Sequence, residues 1–145
     1  MLKRYCISFE GIDKAGKELV GKYVNILGNY KYVLMDRGLL SNITYARMNE
    51  RNYEYNLAAY TNWIIVYLTV DKADWEVRCA LAHEPAINYE QHMSEFNATA
   101  VELDKAGIPI LVYNTSTYTP YAIAKDIIHY MEDREKEDNE QPKSD

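Results

Sequence analysis

The chain has 145 residues, 48% of them hydrophobic, and a formal net charge of −6. That length supports one domain with its own core and leaves little for a second. Of the charge, −4 falls in residues 132–145, where seven acids face three bases, so the body is close to neutral and lacks the basic face that broad nucleic-acid binding requires.

Cys6 and Cys79 lie in separate apolar segments with no C-x-x-C or Cys/His spacing, which argues against a zinc site or a disulfide scaffold. No run approaches about 18 apolar residues and the N-terminus shows no signal-peptide pattern, so a soluble, cytoplasmic protein is expected.

Residues 4–9, RYCISF, are a short apolar and β-branched run ending at a glycine-bearing segment, the pattern of a buried parallel strand. After Lys17, Leu19, Val20, Val24, Ile26 and Leu27 recur near helical spacing until Gly28 and Asn29 stop them. Residues 32–35, YVLM, form a second strand that delivers Asp36 and Arg37 to its end. Ser41 or Asn42 can cap a helix through Ile43, Ala46 and Arg47, and a further helix is expected to about Tyr60.

WIIVYLTV, residues 63–70, is the longest apolar run and reads as a central strand buried on both faces. Residues 72–82 read as a helix broken at Pro85, and 89–105 as a long helix closed by Gly107. IPILVY, 108–113, is a fourth strand, and Pro120 opens a last helix through Met131. The charge run that follows cannot bury apolar area, so residues 132–145 are expected to be a disordered acidic tail on a domain spanning 1–131.

Strands alternating with helices predict an α/β fold with a parallel sheet and right-handed crossovers. Ligands of such sheets bind beyond the carboxyl ends of the strands. Four polar sets fall there: residues 13–18, Asp36 with Arg37, Asp71 with Arg78 downstream, and residues 114–119.

The first set is the most specific. FEGIDKAGKE matches G-x-x-x-x-G-K-[ST] at Gly11, Gly16 and Lys17. Backbone amides of Ile12, Asp13, Lys14, Ala15 and Gly16 in a loop feeding a helix make an anion nest, and Lys17 adds a positive charge for the β and γ phosphates. The last position departs from the pattern, because Glu18 replaces the hydroxyl that ligates magnesium. A glutamate is longer and negative beside a triphosphate of like sign.

These stretches resemble the thymidylate kinases, within the P-loop nucleotide kinases. FEGIDKAGK is similar to their F-E-G-[IVL]-[DE]-x-A-G-K, and DRGLLSNITY to their D-R-[YHF]-x-x-S-x-x-A-Y. NWIIVYLTVDKADWEVR resembles their P-D-L-x-I-Y-L-D-V strand with the helix after it, and VYNTSTYTPYAIAKDIIHYM their last strand, adenine loop and helix. The resemblance implies a P-loop NTPase-type three-layer sandwich and ATP-dependent phosphoryl transfer with Mg2+.

Carried over by position, Lys17 is the γ-phosphate lysine, Asp13 a contact to the acceptor sugar, and Lys14 a transfer-site cation. Asp36, with Glu18, is placed at the metal. Arg37 would grip the acceptor phosphate, ideally as a two-pronged fork, with Ser41 and Tyr45 lining the acceptor pocket. Arg78 would begin the lid, and Asn114, Thr115 and Ser116 would pass over the adenine. Plainer roles stand beside these: a surface ion pair for Asp36 and Arg37, an N-cap for Ser41, core packing for Tyr45, and a solvated helix position for Arg78.

The family pattern also breaks beyond Glu18. Only residues 29–32 separate the first helix from the Asp-Arg strand, which leaves no room for the family's intervening strand and R-E-P acceptor loop and predicts four strands. Thr69 and Ala46 replace the family's Asp and Gln, and CALAHEPAINYEQ has no arginine cluster.

The acceptor is therefore open among a nucleoside, a nucleotide and a nucleic-acid end, the last disfavoured by the acidic balance. A second copy completing the site also stays open. The contrasting reading is a nucleotide-binding module without turnover, marked by Glu18. A GTPase-like switch would need an N-K-x-D motif, which is absent.

Overall fold

The computed structural model describes residues 4–140. Their elements run β1 (Cys6–Glu10), α1 (Lys17–Leu27), β2 (Val33–Asp36), α2 (Leu39–Met48), a 3-10 turn (Leu57–Tyr60), β3 (Trp63–Thr69), α3 (Lys72–Leu81), α4 (Tyr89–Lys105), β4 (Ile110–Asn114) and α5 (Pro120–Glu140). The strands form one parallel sheet in the order β2-β1-β3-β4. The fold is thus the expected α/β sandwich, with the four strands that the short 29–32 connection predicts.

Burial explains the sheet's centre. Ile7, Ile64, Ile65, Val66 and Leu68 on β1 and β3 are wholly buried, as β-branched and apolar residues of a two-faced parallel strand must be. α1 packs on α5 and α2 on α4. The first pair brings Val20, Val24, Ile123, Ile127 and Met131 to the core, and the second brings Leu40, Ile43, Phe96 and Leu103. Register then sets the site: Phe9 lies opposite Asp36, Glu10 opposite Tyr67, and Thr69 opposite Asn114. All four strands end along one edge of the sheet.

Several boundaries differ from the sequence reading, each for a physical reason. α2 begins at Leu39, so Ser41 lies inside the helix and is no N-cap. Its amide and that of Gly38 are instead satisfied by Glu10 from β1, at 2.8 and 2.9 Å. The helix expected up to Tyr60 is a single 3-10 turn, started by the Asn56 side chain accepting from the Ala58 amide. α5 continues to Glu140, well past Met131.

The expected tail therefore begins within a helix, because its charges have partners on the body. Glu135 accepts from the Tyr32 hydroxyl at 2.5 Å and from Lys31 at 3.1 Å, and the Arg134 guanidinium lies 5.6 Å from the Tyr5 ring centre. Residues 141–145 lie outside the described residues. No helix among the described residues is long and apolar enough to cross a membrane.

Candidate phosphate-binding site

Residues 11–16 connect β1 to α1 through three left-handed positions: Gly11 (φ 143°), Lys14 (φ 66°) and Gly16 (φ 100°). At Gly11 a Cβ would lie 2.3 Å from the Leu68 carbonyl oxygen, so the loop crosses β3 too closely for any side chain. Three successive loop carbonyls are held from outside. The Trp75 indole donates to the Asp13 carbonyl (3.0 Å), Arg78 Nη1 to the Lys14 carbonyl (2.8 Å), and the Thr115 hydroxyl to the Ala15 carbonyl (2.8 Å). A trans peptide points its N–H opposite its C=O, so the Lys14 and Gly16 amides face the loop's other side. This is the arrangement an anion nest needs.

Two cations meet above this loop. Lys17 Nζ reaches the Gly11 and Ile12 carbonyls at 3.4 and 3.1 Å. Burial, then the charge of Arg37, lowers its pKa to about 8 from the ordinary 10.5. Arg37 itself has φ 66° and donates from Nη1 to the same Gly11 carbonyl (2.9 Å) and to the Ser41 hydroxyl (3.4 Å). Its guanidinium stands 5.1 Å from the Tyr45 ring centre. Arg37, Ser41 and Tyr45 are thus brought together beside the loop. An arriving anion would relieve the repulsion between Lys17 and Arg37.

Lys17 also lines a cleft of about 670 Å³ between α1 and β2, whose walls include Glu18, Lys22, Asn25 and Asp36. Glu18 and Asp36 therefore share one cavity, as hard oxygen donors suited to Mg2+. No cluster of three or more His, Cys, Asp or Glu able to hold a metal exists among the described residues. The donor set fits an ion that takes one or two carboxylates and completes its shell with phosphate oxygens and water.

The other expected residues are placed less simply. Lys14 is engaged by Glu84 (3.0 Å) and Asp13 (3.5 Å), and the Glu84 bond chiefly raises its pKa. Arg78 braces the back of the loop, bonded also to Thr115 at 3.1 Å. Asn114 donates to Asp71 (3.0 Å) and accepts from the Ser116 amide (2.9 Å), while the Ser116 hydroxyl accepts from the Asp71 amide (2.8 Å). The 114–116 segment is thereby tied to the end of β3.

Sequence reasoning assigned no role to Glu10, Trp75 and Glu84. Glu10 carried a signal, a carboxylate closing an apolar strand. It is wholly buried and accepts from Ser8 (3.0 Å) as well as from the two α2 amides.

No protein-family model matches the chain, and no curated protein does. Among solved structures it is similar to the YorR protein of Bacillus subtilis, crystallised in complex with phosphorylated GDP. The two share 20% identity and a TM-score of 0.67, over 88% of this chain and 95% of that one. The likeness shows the fold, a sandwich of the P-loop type.

Proposed function

We propose that the chain is a compact ATP-dependent phosphotransferase that moves the γ-phosphoryl group to a nucleoside, nucleotide or nucleic-acid acceptor. The observation that carries this reading is the convergence of Lys17 and Arg37 on the Gly11 carbonyl, beside a loop whose 13–15 carbonyls are held from outside. Two buried-side cations at one nest suit a phosphate shared between donor and acceptor. The nucleotide held by the similar YorR structure supports a nucleotide partner.

In this reading residues 11–17 cradle the donor phosphates, with residues 114–116 near its base. Arg37, helped by Ser41 and Tyr45, holds the acceptor phosphate, and Asp13 meets the acceptor sugar. Lys14 leaves Glu84 to meet the transferring group. Catalysis is then positioning and charge neutralisation, with little covalent work for the protein. Magnesium, when bound near Asp36 and Glu18, supplies charge neutralisation across the phosphates.

A second reading, a nucleotide-binding module without turnover, is favoured by one observation: Glu18 presents a carboxylate to the same cleft as Asp36 and Lys17. Transfer of labelled γ-phosphate from ATP and magnesium to nucleosides, monophosphates and short DNA and RNA strands tests both. Product that disappears with Lys17→Ala establishes the phosphotransferase. ATP binding without product establishes the module.

A further inference from the structure

Lys14 is gripped at two points from one side of the loop. Arg78 of α3 donates from Nη1 to the Lys14 carbonyl at 2.8 Å, and the turn that ends α3 brings Glu84 to the Lys14 ammonium at 3.0 Å. Asp13 adds a second carboxylate at 3.5 Å. Glu84 is placed by its backbone. His83 turns the chain at φ 56°, the Glu84 amide donates to the Cys79 carbonyl at 2.9 Å, and Pro85 fixes the next φ. The pair borders a cavity of about 140 Å³ whose walls include Trp75, Pro85, Ile87, Tyr89 and His92, so Glu84 has room to withdraw without displacing packed neighbours.

The cations of the loop region therefore differ in how much charge they have to give. Lys17 and Arg37 bond to neutral partners, the Gly11 and Ile12 carbonyls and the Ser41 hydroxyl. Lys14 is already matched by two carboxylates. We propose that Glu84 makes the loop selective for the length of a phosphate chain: a single phosphate is held by Lys17 and Arg37 with the Lys14–Glu84 pair closed, and only a chain that extends to Lys14 opens it. The inference rests on the phosphate-loop reading behind the proposed function and specifies which anions that loop prefers.

Reach and charge carry the argument. Lys14 and Lys17 are three residues apart, so their Cα atoms lie no more than about 11 Å from one another, and two long side chains span that interval from either end. An orthophosphate has two cations for its charge at Lys17 and Arg37 and gains little by opening another ion pair. A tripolyphosphate carries more charge than those two cations match, so it competes with Glu84 for the third. The pair is weak enough to yield, because 24% of the Lys14 and 48% of the Glu84 side chain are exposed and water screens them.

Titration calorimetry with tripolyphosphate and orthophosphate tests this on the wild type, Glu84→Gln, Lys14→Gln and the double variant. Glu84 lies in exposed chain, and a substitution at Lys14 leaves its backbone bond to Arg78 in place. Glu84→Gln should bind tripolyphosphate about threefold tighter and orthophosphate as the wild type does. In the Lys14→Gln background the same change at Glu84 should have no effect. Equal tightening of both anions, or tightening that persists without Lys14, is the general field of a lost charge and overturns the proposal, as does no tightening at all. A wild type that binds neither anion removes the phosphate-loop reading as well. The cycle needs no turnover, so failed transfer from ATP beside an intact cycle removes the phosphotransferase and keeps the selector.

Discussion

Glu10 is the residue whose replacement tests most sharply how the site is held. It is wholly buried, one oxygen accepts the Gly38 and Ser41 amides at 2.9 and 2.8 Å, and the other accepts the Ser8 hydroxyl at 3.0 Å. Glu10→Ala strands two buried amides at the start of α2, each costing about 1–3 kcal/mol, and removes a negative group from a helix N-terminus, about 0.3–1 kcal/mol more. A loss of about 4 kcal/mol is expected.

Glu10→Gln keeps one acceptor oxygen for both amides and loses only charge assistance and part of the Ser8 contact, about 1–2 kcal/mol. Urea unfolding, read as a shift of midpoint at constant m, measures both. The order wild type, Gln, Ala should hold. An Ala variant within about 0.5 kcal/mol of wild type would show that other groups or water serve the amides. A Gln variant as weak as Ala would show that charge, and not acceptor geometry, sets the cost. Because Gly38 follows Arg37 directly, the Gln variant should keep its fold and reveal how far this turn controls phosphate affinity.

Lys17 predicts a pH dependence. Its folded pKa of about 8 lies below its ordinary 10.5, so the unfolded chain binds more protons between those values and stability should rise with pH across that window; Lys17→Met should flatten the rise in a denaturation series. The ammonium is also lost above pH 8, so tripolyphosphate affinity should fall about tenfold from pH 7 to pH 9, and a flat profile would exclude Lys17 from the anion site.

Gly11→Ala places a Cβ 2.3 Å from the Leu68 carbonyl oxygen at φ 143°, whereas Gly107 has φ 93° and nothing within 4 Å. The first should cost at least about 3 kcal/mol and the second about 1; equal melting shifts would contradict the close approach. Glu18→Thr should raise magnesium-dependent ATP turnover, and unchanged or lost activity in a folded variant would give Glu18 a role of its own.

Much of this was legible because buried parallel strands write themselves as apolar runs. WIIVYLTV gave β3 to within one residue, and Tyr89–Lys105 emerged as α4 between its polar start and Gly107. The glycine loop was legible because its spacing has a backbone reason, confirmed at Gly11 and Gly16. What escaped were interactions between distant segments. Ser41 has the residue type of an N-cap, but the cap of α2 is Glu10, 31 positions earlier, so local preference pointed to the wrong start. The charge run after Met131 has the composition of a loose end, yet Glu135 reaches Tyr32 across 103 positions and keeps the helix on the body. Nor could local pattern show that Arg78 braces the loop, because its partners, the Lys14 carbonyl and Thr115, lie 64 and 37 positions away.

The short 29–32 connection bears on the edge of the sheet and not on the glycine loop. β2 is one of the sheet's two edge strands, with Val33 45% and Met35 40% exposed, so a short connection there leaves the sheet's centre closed. Arg37 is anchored from β1: its amide donates to the Phe9 carbonyl at 3.0 Å, and Glu10 pins the turn after it. Both anchors belong to β1, the strand that also launches the phosphate loop. Arg37 and the glycine loop are therefore positioned by one strand, β1, so the length of the 29–32 connection does not set their geometry.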